Sequence, residues 1–343
     1  MDEINFDEIQ QVINEVLGGG LDFQQMVQQG VEGKSPFAWK NLVLFFQRIF
    51  FEELIHQKQM WIHILILAIA AAVLIHFAEV FQNKSVSQIS FCIIYMLLFL
   101  LLMTSFQSSM AIVQEVMEYI RSFMTVLAPA YFLALTLSSY LTSAGIYYEF
   151  ILFLISGIRW VMETFVLPCI EIYVLLNLVN HLSKDTHLSR FADLMGMIVG
   201  WSMKAALALV MGFHMIQGLI APAADAFRAA GVSKGLDMVP GIGDVSSSVT
   251  DLVLGSAMLI KNGIGVAALV ILIFICVVPL VKLAVIMGTY YLLAAVLQPV
   301  SDERITGCLA GMGTAVKYLF QAVFTVLVLF LLTIALTTAL TSR

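Results

Sequence analysis

Two ionisable side chains four residues apart, Arg159 and Glu163, stand inside the apolar stretch 147–182. Residues at i and i+4 share one helical face, so each can neutralise the other where either alone would cost at least about 2.5 kcal/mol in mid-membrane. Glu171, Lys204 and Lys282 also fall inside apolar stretches, with His214 and Gln217 nearer an end. Charges so placed support two chemistries. One is a polar conduit or substrate path. The other is structural: Arg159 with Glu163, and Glu171 with Lys204 or Lys282, as buried interhelical pairs that set packing. The residue types leave both open.

Catalytic spacings are a different matter. The chain has no HExxH, GxSxG, SxxK, Walker A or EF-hand pattern, and Gly241-Ile242-Gly243 lacks the third glycine and preceding strand of a dinucleotide site. Neither an enzyme nor a cofactor is expected. Among the six histidines only His181 and His187 fall close together, in one polar turn, which makes a poor metal site. Cys92, Cys169, Cys276 and Cys308 sit in or beside apolar runs without CxxC spacing and read as small packing residues.

The elements that must position these residues follow from composition. Of 343 residues, 61% are hydrophobic and 12% charged, against about 45–50% and about 25% in soluble domains. Runs longer than the roughly 20 residues of a membrane crossing recur, and their length excludes the short alternating strands of a membrane barrel. The fold class is all-α: a polytopic integral membrane helical bundle. Apolar spans cover 61–81, 89–110, 122–142, 147–182, 194–221, 263–299 and 318–340. Two of these exceed one crossing, and each carries a proline three residues before a charge, Pro168 before Glu171 and Pro279 before Lys282. Each is a kinked helix, a tight hairpin or a pair of half-helices, which gives seven to nine crossings. An internal repeat of helix, polar turn and helix is suggested by Val86-Ser87-Gln88, Leu188-Ser189-Arg190 and Val300-Ser301-Asp302, with Gly196 and Gly200 matched by Gly307 and Gly311. These glycines, with Gly263, Gly265 and Gly313, suit close helix contact.

Two segments differ from the spans. Residues 1–58 form an amphipathic extramembrane tail holding most of the net charge of −6, since residues 1–60 carry nine acids against four bases. No part of the chain is basic enough for nucleic acid. The tail has an apolar stripe at Ile9, Val12, Ile13, Val16 and Leu17, then Gly18-Gly19-Gly20, then a second stripe from Trp39 to Phe50. It either covers the protein's own surface or docks a partner. Within the multispan domain, 59–343, residues 222–262 form a Gly-rich non-spanning or re-entrant insert. Gly241, Gly243, Lys261, Asn262 and Gly263 are its candidate gate or subunit-contact residues, because glycine permits unusual backbone angles and Lys261-Asn262-Gly263 makes a polar hinge before the next span.

The chain resembles the stage III sporulation protein AE family of endospore-forming bacteria. The resemblance rests on the acidic opening Asp2-Glu3-Ile4-Asn5-Phe6-Asp7-Glu8-Ile9, the multispan body, Pro240-Gly241-Ile242-Gly243 and Leu259-Ile260-Lys261-Asn262-Gly263-Ile264-Gly265-Val266. It implies a component of a specialised secretion or feeding channel between mother cell and forespore, needed for late forespore gene expression. It also implies as partners the other stage III sporulation A-operon membrane proteins and, through them, a forespore membrane protein, in addition to the lipid bilayer; a homo-oligomer is compatible. The expected site is the mother-cell cytoplasmic membrane. Family members open with a signal peptide, whereas Met1 leads straight into Asp2 here, so the chain reads as processed or trimmed, with its tail toward the intermembrane space. The alternative, drawn from the broken spans and midspan charges, is a permease-like secondary transporter with its own small-molecule site.

Pairing of Arg159 with Glu163 predicts that Arg159→Leu and Glu163→Leu each lower membrane abundance more than the double change does, measured by quantitative immunoblot. Equal or greater loss in the double variant would reject the pairing.

Overall fold

A computed structural model describes residues 6–17, 22–31, 39–80, 84–138, 141–182, 188–236 and 243–340. Gly241 and Gly18-Gly19-Gly20 lie outside the described residues. Among those described there is no strand. The chain runs α1 (Asp7–Leu17), α2 (Phe23–Val31), α3 (Trp39–Val80), α4 (Lys84–Ser138), α5 (Leu141–Val161), a π turn (Met162–Val166), α6 (Leu167–Asn180), α7 (Ser189–Leu236), α8 (Gly243–Leu297) and α9 (Glu303–Leu340).

Helices α8 and α9 form the centre. In α8, Leu272, Cys276, Pro279, Leu283, Ile286, Tyr290, Leu293 and Leu297 are all buried, at alternating spacings of four and three. In α9, Cys308, Met312, Ala315, Leu319, Ala322, Val326, Leu329 and Thr333 repeat the pattern. A 3.5-residue period keeps one narrow seam facing a partner helix. The two seams meet antiparallel: Tyr291 bonds Thr314 near the connecting turn (3.1 Å), and Lys261 donates to the Thr338 carbonyl at the far end (3.3 Å). Helix α4 is tied to this pair by Tyr290 donating to Ser105 (2.6 Å) and by Tyr131 bonded to Thr338 (2.7 Å).

Among the described residues, six helical stretches are long and apolar enough to cross a membrane: Gln47–Val73, Ile89–Thr136, Ile151–Asn180, Ser189–Ile216, Met258–Leu297 and Glu303–Thr338. The sequence-based count of seven to nine separated 89–110 from 122–142, but both belong to the single helix α4. The intervening residues keep the helical period: Val113, Val116, Met117 and Ile120 are buried while Gln114 and Glu115 face outward, and no glycine or proline interrupts them. The stretch 147–182 is likewise one helical column rather than a hairpin, widened at the π turn, where Leu167 N–H reaches the Met162 carbonyl. Pro168 follows at once. A proline ring crowds the carbonyl four residues back, and one wider turn relieves that contact. Pro279 lies within α8. The 222–262 segment is helical along its described length, as the last part of α7 and the first part of α8.

Helices α3 and α4, α6 and α7, and α8 and α9 follow one another in the chain, and the repeated tripeptides fall at the starts of α4 and α7 and just before α9. Their ends converge: Tyr95 of α4 donates to the Leu178 carbonyl (2.5 Å), Asn177 to the Cys308 carbonyl (3.4 Å), and Arg304 lies 3.4 Å over the Phe91 ring. Asn180 accepts from Leu188 N–H (3.0 Å) and Asp302 from Arg304 N–H (2.9 Å), so the backbone at the starts of α7 and α9 is held by side-chain acceptors.

The tail is part of this packing. Phe6, Ile9 and Ile13 of the α1 segment, with Phe23, Met26 and Val27 of α2, are buried in the main core, α1 against α4 and α2 against α8. Helix α3 then passes residue 58 without a break. These apolar residues of α1 and α2 therefore cover the protein's own bundle, while the polar Gln11 and Gln28 face outward.

Gly263 lets α2 approach α8 closely, since a Cβ added there would lie 2.8 Å from the Val27 carbonyl oxygen and 2.8 Å from the Val31 side chain. Gly200 has nothing within 4 Å of the same point. Gly263→Ala should destabilise the purified protein by about 1–3 kcal/mol through this clash, while Gly200→Ala should be neutral or stabilising by up to about 1 kcal/mol. Thermal unfolding in detergent, with protease cleavage of α2 as a second readout, measures both; equal melting temperatures would show that α2 does not depend on this contact.

Candidate functional site

Four charged side chains meet on the outer face of α4 and α5. Arg159, near the end of α5, donates from Nε to both carboxylate oxygens of Glu163 in the π turn (3.0 and 2.9 Å). Its Nη1 lies 3.7 Å from Glu118 Oε2 on α4. Glu118 in turn accepts from Arg121 Nε (3.0 and 2.9 Å) and from Arg121 Nη2. The result is a chain of alternating sign, Arg121, Glu118, Arg159, Glu163, with no net charge. Its side chains are 36–44% exposed, so the chain is set into the surface and not sealed in the core.

Local structure places each member. On α4, Glu118 and Arg121 are three residues apart on the face opposite Val113, Val116 and Ile120. Arg159 and Glu163 are one turn apart across the junction into the π turn. Beside the four charges lies an open groove of about 410 Å³. Arg121, Arg159 and Glu163 line it together with Thr125, Ser156 and Thr164; Trp160 stands at its edge, with Leu152 and Ile155 as the apolar part of the wall.

The other sequence candidates are not gathered here. Glu171 on α6 and Lys204 on α7 are exposed. Lys282 on α8 is half-buried and lines a separate groove of about 210 Å³ with Glu115, Tyr119 and Pro279, where Tyr119 donates to Glu115 (2.6 Å). The interhelical pairs Glu171 with Lys204 or Lys282 are not formed among the described residues. Such pairs require facing positions on packed helices, and Glu171 and Lys204 both turn to the outside.

The candidate gate residues also separate. Lys261 is fully buried and donates to a carbonyl in the last turn of α9, where the helix dipole favours a cation. Asn262 is half-buried, and Gly243 is the first residue of α8. Gly265, next to this locus, would place a Cβ 2.6 Å from Thr338 Oγ1. At the opposite end Gly311 seats Asn177 and Gly307 seats His181, while Gly196 lies against Tyr318 and Gly313 against the Tyr291 ring. Small residues thus receive side chains across helix interfaces.

Glu118 and Arg121 were the residues missed from the sequence. Their signal was the buried period of Val113, Val116, Met117 and Ile120, which bridges two apolar spans and carries both charges into one membrane helix.

The all-helical bundle, its six long apolar helices and its self-neutralising charges define a multispan integral membrane protein. The family model for stage III sporulation protein AE matches residues 21–341, and the chain belongs to that family. It is 28% identical over 307 residues to stage III sporulation protein AE of Bacillus subtilis (strain 168), covering 89% of this chain and 76% of that protein. No solved structure matches. Family membership gives the chain a role in sporulation.

The distances order the couplings. A double-mutant cycle on Glu118→Gln and Arg121→Gln should give a coupling within the roughly 0.2–1 kcal/mol of partly exposed pairs, and the cycle on Glu118 and Arg159 a smaller one. Chemical unfolding in detergent reads both; a larger coupling for Glu118 with Arg159 would mean that the carboxylate turns toward α5.

Proposed function

We propose that the chain is a non-enzymatic membrane subunit of the channel that joins mother cell and forespore during endospore development. In this reading it sits in the mother-cell cytoplasmic membrane and assembles with the other stage III sporulation A-operon membrane proteins and, through them, with a forespore membrane protein. The observation that carries the reading is the family match over residues 21–341. The shape of the bundle supports it. α4 and α8 have 55 residues each, about 80 Å at 1.5 Å per residue, against about 30 Å of hydrocarbon. Helices this long carry structure beyond the bilayer, where subunits of an assembly meet. With the apolar stripes of α1 and α2 spent on the bundle, partner docking on those two helices falls to their polar faces.

The tail is proposed to face the space between the two membranes. Gln11 and Gln28 are exposed on α1 and α2, so cysteines introduced there should react with a membrane-impermeant maleimide added to protoplasts before engulfment is complete, above the background of the four native cysteines. Reaction only after permeabilisation would put the tail in the cytoplasm and overturn the orientation. Purification of the tagged chain from sporulating cells, followed by mass measurement, should recover the A-operon membrane proteins. Recovery of the chain alone, with saturable solute uptake after reconstitution, would establish the permease instead.

A further inference from the structure

Helices α6 and α7 pack against each other and against α9, and both turn large apolar side chains outward, among them Ile172, Leu175 and Val179 on α6 and Leu194, Met197 and Trp201 on α7. Two charges are exposed on the same helices, Glu171 and Lys204, and neither forms an ion pair among the described residues. Such a face suits neither surrounding that a single copy could have. In hydrocarbon an unpaired carboxylate or ammonium is costly. In water an apolar surface of this extent marks a contact with other protein. The conflict holds wherever a bilayer crosses these helices, because exposed apolar residues flank each charge in both directions: Phe165 and Ile172 around Glu171, Trp201 and Leu209 around Lys204.

We propose that this face is a contact between two copies of the chain, with Glu171 of each copy paired to Lys204 of the other. The charges select the partner. The face carries one sign on each helix, so the same face turned through a two-fold axis brings Lys204 to Glu171 twice, whereas a different subunit would have to carry both charges in the reverse order. Two copies inserted in one membrane share an orientation, so the axis runs along the bundle and each residue keeps its height. Asn180 accepts from Leu188 N–H, which sets the end of α6 level with the start of α7. From that level Glu171 lies about 14 Å along α6 and Lys204 about 24 Å along α7, at 1.5 Å per residue. The difference of about 10 Å is closed by the four-carbon stem of the lysine extending toward a glutamate that extends the other way. Pairing neutralises both charges and lets the apolar residues of α6 and α7 pack between the copies. The contact requires only two copies in one membrane, so it can fail with the channel reading intact, and the channel reading can fail with the contact intact.

The test uses the full chain with two different tags, produced together in one membrane, extracted in mild detergent and purified through one tag. The second tag should be recovered with the first, and native mass spectrometry should show the dimer. Glu171→Lys in both copies, or Lys204→Glu in both, sets like charges against each other at both contacts and should lower recovery about tenfold, with membrane abundance unchanged because both positions are exposed. One copy with Glu171→Lys and the other with Lys204→Glu has opposite charges at both contacts and should recover the parent level. Because this mixed pair is built from the same variant chains, its rescue separates loss of the contact from loss of folding. A parent found only as monomer, undiminished recovery of either like-charged pair, or a mixed pair no better than those two would overturn the contact. Loss of a different membrane protein on charge reversal, with the dimer retained, would give the face to that subunit and overturn it as well.

Discussion

The antiparallel seam between α8 and α9 is the constraint from which the rest of the molecule follows. Both helices bury residues at alternating spacings of four and three over more than twenty positions, and a period of 3.5 holds such faces together along their length. Inside a membrane the apolar effect supplies little force between helices, so contact depends on close packing and on hydrogen bonds. The seam supplies both. Glycines on either helix take in side chains that would otherwise hold the helices apart, and Tyr290, Thr338 and Lys261 carry hydrogen bonds from the seam to α4 and across to the end of α9. Because α8 and α9 are antiparallel and joined by a short turn, one end of the pair collects the start of α4 and the end of α6 and the other collects Lys261, Thr338 and α2.

Charge is placed with the same economy. An isolated charge in hydrocarbon is costly, yet α4, α5 and the π turn bring four charged residues together over a short distance. They are arranged in alternating sign, each within reach of an opposite neighbour, on a partly exposed surface where exchange with solvent or headgroups remains open. The π turn contributes to this arrangement, since it accommodates Pro168 without ending the helical column and keeps Glu163 one turn beyond Arg159. The side chains that line the nearby groove are thus positioned by backbone and by ion pairs.

The N-terminal helices change what the tail can do. An amphipathic tail read alone offers an apolar surface to any partner, but here Phe6, Ile9 and Ile13 of the α1 segment and Phe23, Met26 and Val27 of α2 are buried against the bundle, with Gly263 leaving room for the backbone of α2, while Phe50 and Phe51 on α3 stay exposed. Partner contacts of α1 and α2 are then polar, and the acidic balance of the first sixty residues becomes the feature a partner would meet.

Sequence alone determined the class and the local geometry. Composition and the length of the apolar runs specify membrane helices, the glycines mark close contacts at every named position but Gly200, and the four-residue spacing of Arg159 and Glu163 puts both on one face, because rise and rotation per residue are fixed within a helix. Whether separate apolar runs are one helix or two was also legible at 113–120, in the uninterrupted period of buried residues. Only the tertiary structure decided which faces meet. Glu118 reaches Arg159 because α4 packs on α5, and Glu171, Lys204 and Lys282 go separate ways because their helices present those positions outward or to another groove. Gly263 receives α2 because the tail folds back onto α8. These outcomes depend on the relative placement of helices distant in sequence, which is set by the total packing of their faces and is not encoded in the spacing of any single segment.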